Sequence, residues 1–193
     1  GGEKLAEFTA EVAEEAYEQL KRDFSYEIKE RLVLVVYKSH NDWQQTNVVL
    51  SYMEEGVGGV TELYKNRIVV PFEGSYAQFR HVIHHELVHG VMNDLLYGGS
   101  IQSLVMGEVV PVPLWVAEGL AEFQSSGWNT NTDMIVRDAV LSDYIPPIQY
   151  LEYYMVYQGG NSVFRYIAET YGREKIGEIL LKARGNVGFQ QVL

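Results

Sequence analysis

Residues 75–98, SYAQFRHVIHHELVHGVMNDLLYG, decide the fold of this chain and open its chemistry. Ser75 can cap a first turn with Gln78 three residues on, and Phe79, Val82, Ile83, Val91, Met92, Leu95 and Leu96 recur at helical spacing. Gly98 and Gly99 end the run, so the stretch is predicted as one helix. At its centre stands His85-Glu86-Leu87-Val88-His89. A helix advances about 100° per residue, so side chains four apart share a face, and His85 and His89 present two imidazole nitrogens to a single ion. This is the H-E-x-x-H signature of a zinc hydrolase, in which Glu86 is the expected general base.

Upstream, Leu5, Phe8, Val12, Ala16, Leu20 and Phe24 predict an amphipathic packing helix over Lys4–Asp23. Leu32–Tyr37 reads as a buried strand and Ser39–Asn47 as a stretch holding a short helix, with His40 assigned to the surface. Gly56–Gly59 is a glycine-rich turn, and Asn66–Pro71 a second strand whose proline suggests an edge or a strand end. An edge just before the histidine helix would let an extended peptide add to it through main-chain hydrogen bonds. Downstream, Ser100–Val112 reads as a loop or small hairpin, followed by helices over Pro113–Ser125, Thr130–Ser142, Gly159–Tyr171 and Arg173–Arg184. Helix and strands come first and only helices afterwards, which predicts an α+β fold. We expect one domain over 1–193, with lobes of about 1–98 and 99–193 meeting at a cleft. The Gly1-Gly2 start suggests a fragment of a longer protein.

With 193 residues, 47% of them hydrophobic, the chain is long enough to bury a substantial core. A net charge of -11 argues against a nucleic-acid backbone or an anionic membrane surface as partner. No apolar run approaches the roughly 20 residues that span a bilayer, so the fragment should not insert in a membrane by itself. Zero cysteines exclude disulfides and thiolate sites, so a bound transition metal must use histidine and carboxylate ligands.

Two imidazoles leave a catalytic zinc short of three protein ligands. The stretch Trp115–Phe123 can supply the third, because Glu118 and Glu122, four apart, share a face of a partly apolar helix. In the division expected here Glu118 binds the metal and Glu122, behind it, accepts the other ring N–H of a histidine, His85 foremost, which fixes the tautomer. His81 and His84 read as surface or cleft-rim residues. A two-histidine, one-carboxylate set would suit iron as well, although the adjacent Glu86 favours zinc.

Together these motifs resemble the gluzincin zinc metallopeptidases, in which H-E-x-x-H is followed by a helix bearing the glutamate ligand. Trp115-Val116-Ala117-Glu118-Gly119-Leu120-Ala121-Glu122 is similar to a segment of the aminopeptidase branch and its small bacterial, peptidase-MA-like relatives. The resemblance covers about Ser75–Arg184. It implies Glu118 as third ligand, Glu122 where the family carries Asp, and, from the Y-x-x-G-x-x-V-x-R register of Tyr157, Gly160, Val163 and Arg165, Tyr157 as the phenol that meets the oxyanion. The family's G-x-M-E-N grip on a substrate amine survives only as the Gly59 and Glu62 of Gly59-Val60-Thr61-Glu62-Leu63, so Glu62 reads as a solvated charge, and an endopeptidase or a peptidase of unusual specificity gains ground. The fold implied is mini-gluzincin-like, a small sheet and helix packed on the active-site helix before a helical C-terminal part. The implied activity is peptide or protein hydrolysis with one Zn2+, in an exported protein of the periplasm or cell envelope, linked to further modules such as a β-propeller. Two rivals remain at this point: a non-catalytic zinc-fold binding or assembly module of a larger envelope protein, and a hydrolase of non-peptide amides.

Overall fold

The computed structural model describes residues 2–45, 59–62, 67–98, 112–184 and 189–192, which form a mixed α+β structure, mostly helical, with one small sheet. Helix α1 (Gly2–Phe24) turns Leu5, Thr9, Val12, Ala16, Leu20 and Phe24 inward. Those steps of three and four keep one face of a helix together. Strand β1 (Val33–Tyr37), the short helix α2 (His40–Gln44) and strands β2 (Val60–Glu62) and β3 (Arg67–Pro71) follow.

The sheet order is β1-β3-β2, with β3 parallel to β1 and antiparallel to β2. The strand ending in Pro71 is therefore central, and the proline marks its end rather than an edge. Ile68, Val69 and Val70 are all buried because both faces of β3 are covered. Ile68 and Val70 join the main core, whereas Val69 packs with Trp43 of α2 on the far side. A continuous β-branched run is what a strand buried on both faces requires. Among the described strands the two edge positions fall to β1 and to β2, the latter three residues long.

Helix α3 (Tyr76–Tyr97) begins at Ser75, whose side chain accepts the Gln78 N–H, and ends at Gly98 in the left-handed conformation, φ 62°. Glycine adopts that cap without steric penalty. α1, β2, β3 and helix α4 (Leu114–Ser126) all pack against α3, so it lies at the centre of the fold and its buried positions run nearly all round. Helices α5 (Thr130–Leu141), α6 (Met155–Tyr171), α7 (Glu174–Ala183) and α8 (Phe189–Val192) follow, with a short 3-10 turn at Ile148–Tyr150 before α6. None of the described helices is long and apolar enough to cross a membrane.

Helix α6 starts four residues before the expected Gly159, and its N-cap, Tyr154, makes no side-chain capping bond. Gly159 and Gly160 thus lie inside the helix rather than at its boundary. The reason is a close crossing of α4 and α6. A methyl group on Gly119 would strike the Gly160 Cα, and one on Gly160 would strike the Trp115 carbonyl oxygen. Two missing side chains let the backbones touch, and that contact sets Tyr157, one turn before Gly160, opposite Glu118. Ser100–Pro111 and Gly56–Gly58 lie outside the described residues.

Candidate metal centre

A cavity of about 870 Å³ opens between β2, α3, α4 and α6, and the residues expected to carry chemistry line it: His85, Glu86, His89, Glu118, Glu122 and Tyr157. On α3 the four-residue step sets the two imidazoles edge to face, with ring centroids 5.0 Å apart. From α4, Glu118 Oε2 comes within 3.2 Å of His85 Nε2 and 3.6 Å of His89 Nε2. Nitrogen and oxygen ligands about 2.0–2.1 Å from a tetrahedral zinc stand roughly 3.3 Å from one another. The two Glu118 separations bracket that value, and the three donors lie mutually within 4.8 Å. Two imidazoles and a carboxylate are a donor set that zinc accepts, as does iron.

Burial pushes the Glu118 carboxyl up, but hydrogen bonds and charge from His85 and His89 outweigh it and hold the group down at about 2. The same exchange acts on His89 in reverse: burial favours its neutral form, and the Glu118 hydrogen bond with the Glu118 and Glu86 charges carries it above its ordinary value. The two shifts describe one arrangement, a carboxylate paired with imidazole N–H groups, whose protons a metal ion would replace.

Glu122 stands 3.8 Å from His85 Nδ1 and 3.8 Å from His81 Nε2. This differs from the expected arrangement. Glu122 faces His85 as foreseen, but at a separation longer than a hydrogen bond, and His85 Nδ1 has no hydrogen-bond partner among the described residues. His81 shares the carboxylate and is itself within 3.0 Å of Ser126 Oγ through Nδ1. His81, His85 and Glu122 form a second group able to hold a cation, with His85 common to both. The closer spacing, and the Glu86 and Tyr157 beside it, distinguish the His85, His89 and Glu118 group. His81 lines the cavity, whereas His84, also half-buried, does not, and burial followed by the charges of His81 and His85 lowers it to about 4.

Tyr157 reaches the cavity with its ring centroid 6.1 Å from that of His85. Burial, then the charge and hydrogen bond of Glu118, push its phenol up to about 12. The group stays protonated at neutral pH and can donate. Tyr154 stacks on it at 6.4 Å between centroids. Glu86 is buried, and its carboxylate takes a 2.7 Å hydrogen bond from Thr61 Oγ1 on β2. Sequence reasoning gave Thr61 no role, and it set His81 at the surface or cleft rim rather than in the ligand cluster. The Thr61 contact joins residues 25 apart and leaves no periodic trace; the four-residue step from His81 to His85 was the available signal for the other. The Glu62 side chain lies outside the described residues. His40 is half-buried rather than at the surface, with Nδ1 3.0 Å from Glu73.

Compared with protein-family models, with curated proteins and with solved structures, the chain finds no match in any of the three.

Proposed function

We propose that this chain is a zinc-dependent peptidase of gluzincin-like type, with the ion held by His85, His89 and Glu118. The observation that carries the reading is the convergence of those three donors, from two helices, beside a buried Glu86 and a protonated Tyr157 in one open cavity. When bound, zinc lowers the pKa of a coordinated water and polarises a carbonyl. The chain's own groups do the rest. Glu86 accepts the proton of the attacking water and delivers it to the leaving amine. Tyr157, held against α4 by the Gly119–Gly160 crossing, donates its hydroxyl proton in a hydrogen bond to the carbonyl oxygen as negative charge grows there. β2, the short edge strand lining the cavity, offers main-chain groups to an extended substrate.

A general base and a phenol donor favour catalysis over a purely structural or assembly role, since an ion-binding scaffold needs neither. Incubation with a peptide library tests the reading. The parent protein should cleave, a chelator should stop it, and Glu86→Gln should keep its zinc while hydrolysis falls about 10²–10⁴-fold. Cleavage by Glu86→Gln at the parent rate would sink the mechanism. An intact zinc site that never cleaves a peptide would favour the assembly module or a non-peptide amide.

A further inference from the structure

We propose that Thr61 is a positioning residue: it is the contact through which edge strand β2 holds the Glu86 carboxylate ready for proton transfer. The inference rests on Glu86 being the general base. Thr61 Oγ1 lies 2.7 Å from Glu86 Oε2 and 3.1 Å from the Glu86 carbonyl oxygen. A threonine hydroxyl has one proton to give, and the shorter separation assigns it to the carboxylate. Among the described residues no other hydrogen bond reaches that carboxylate, so a single donor fixes Oε2 and leaves Oε1 to receive a proton.

Gly59, two residues before Thr61 and therefore directed to the same face of the strand, completes the socket. A Cβ there would come 2.8 Å from Glu86 Cγ and 2.9 Å from Val70 Cγ1. The glycine makes room for the Glu86 stem and the threonine holds its head. Thr61 sits in the ladder, where the antiparallel pairing Val60 to Val69 and Thr61 to Ile68 fixes it on the central strand, and Gly59 directly precedes that strand. Gly59, Val60 and Thr61 also line the cavity. One short strand therefore both offers an edge to the substrate backbone and orients the base that acts on it, which puts the scissile bond and the carboxylate in a common register.

Thr61→Val removes the hydroxyl with little change of shape, and Thr61→Ser restores it. With zinc-loaded protein and a peptide the parent cleaves, kcat of Thr61→Val should fall roughly 10- to 100-fold, the range for losing a hydrogen bond to a charged group, with KM within about twofold of the parent. Thr61→Ser should recover most of the rate. Zinc-loaded crystals supply a readout independent of turnover: the Glu86 carboxylate should keep its place in the parent and Thr61→Ser and leave it in Thr61→Val. An unchanged kcat in Thr61→Val, a rise confined to KM, or an unmoved carboxylate would overturn the proposal. Glu86→Gln measured alongside separates the two levels. If hydrolysis does not need Glu86, the general-base reading falls and takes this one with it; if it does need Glu86 but not the Thr61 hydroxyl, only this one falls.

Discussion

Asp94 and Glu118 are both carboxylates packed at α3, yet the groups around them are opposite in kind. Asp94 is fully buried and receives the Tyr26 hydroxyl at 2.8 Å and the Lys29 backbone N–H at 2.8 Å. Both neighbours donate to Oδ2, so the protein itself answers that oxygen, while Oδ1 has no hydrogen-bond partner among the described residues. Glu118 meets His85 Nε2 at 3.2 Å and His89 Nε2 at 3.6 Å, and all three face a cavity. Buried polar groups left unpaired are costly. An imidazole can give up its proton and turn a lone pair to a cation, whereas a phenol and a backbone N–H at neutral pH cannot. The difference separates a strut from a site, although His89 and Asp94 lie on adjacent turns of the same helix.

Changes on the two sides should therefore act on different observables. The largest effect is expected for His89→Ala, which should lose its zinc and all hydrolysis; a zinc content equal to that of the parent would remove His89 from the ligands. Tyr157→Phe should keep zinc and fold while kcat drops about 10²–10³-fold, the scale of one oxyanion donor. Full kcat in that variant would take the phenol out of the mechanism. On the other side, Asp94→Ala leaves the Lys29 N–H without its acceptor and the Tyr26 hydroxyl with only the Asp94 carbonyl oxygen at 3.2 Å, and denaturant unfolding should show a loss of about 2–3 kcal/mol. Its zinc stoichiometry should stay that of the parent. A variant that kept its stability but lost its zinc would erase the distinction between strut and site.

The smallest effect is a pH dependence. Burial, then Asp94, raises the Tyr26 phenol from 10.0 to about 12. The folded protein thus holds a proton that the unfolded chain releases, so the contribution is complete below pH 10 and is lost as pH rises toward 12. Unfolding free energies measured across that window should fall for the parent and fall less for Tyr26→Phe. Parallel slopes would detach Tyr26 from the Asp94 cluster.

The same comparison shows what could be read from sequence. α3 was legible to its caps, because Ser75 and Gly98 act locally and the apolar positions recur with helical period. The pair His85 and His89, and Glu118 with Glu122, were legible because a four-residue step fixes a shared face wherever the helix packs. What escaped depends on contacts between distant residues. The Tyr26 to Asp94 bond spans 68 positions, and neither residue announces the other. β3 was read through its proline, but its rank in the sheet is decided by β2 pairing on one side and β1 on the other. The start of α6 carries no side-chain cap to betray it. Gly160 was noticed for its register with Tyr157; its physical task, letting α6 touch α4, appears only once both helices are placed.

The central claim is that one ion belongs between two helices. Protein purified without added metal, crystallised and measured on both sides of the zinc absorption edge, tests it most directly. The expected result is a single anomalous peak, present only above the edge, bounded by His85 Nε2, His89 Nε2 and Glu118 Oε2. No peak there, or a peak confined to His81, His85 and Glu122, would contradict it.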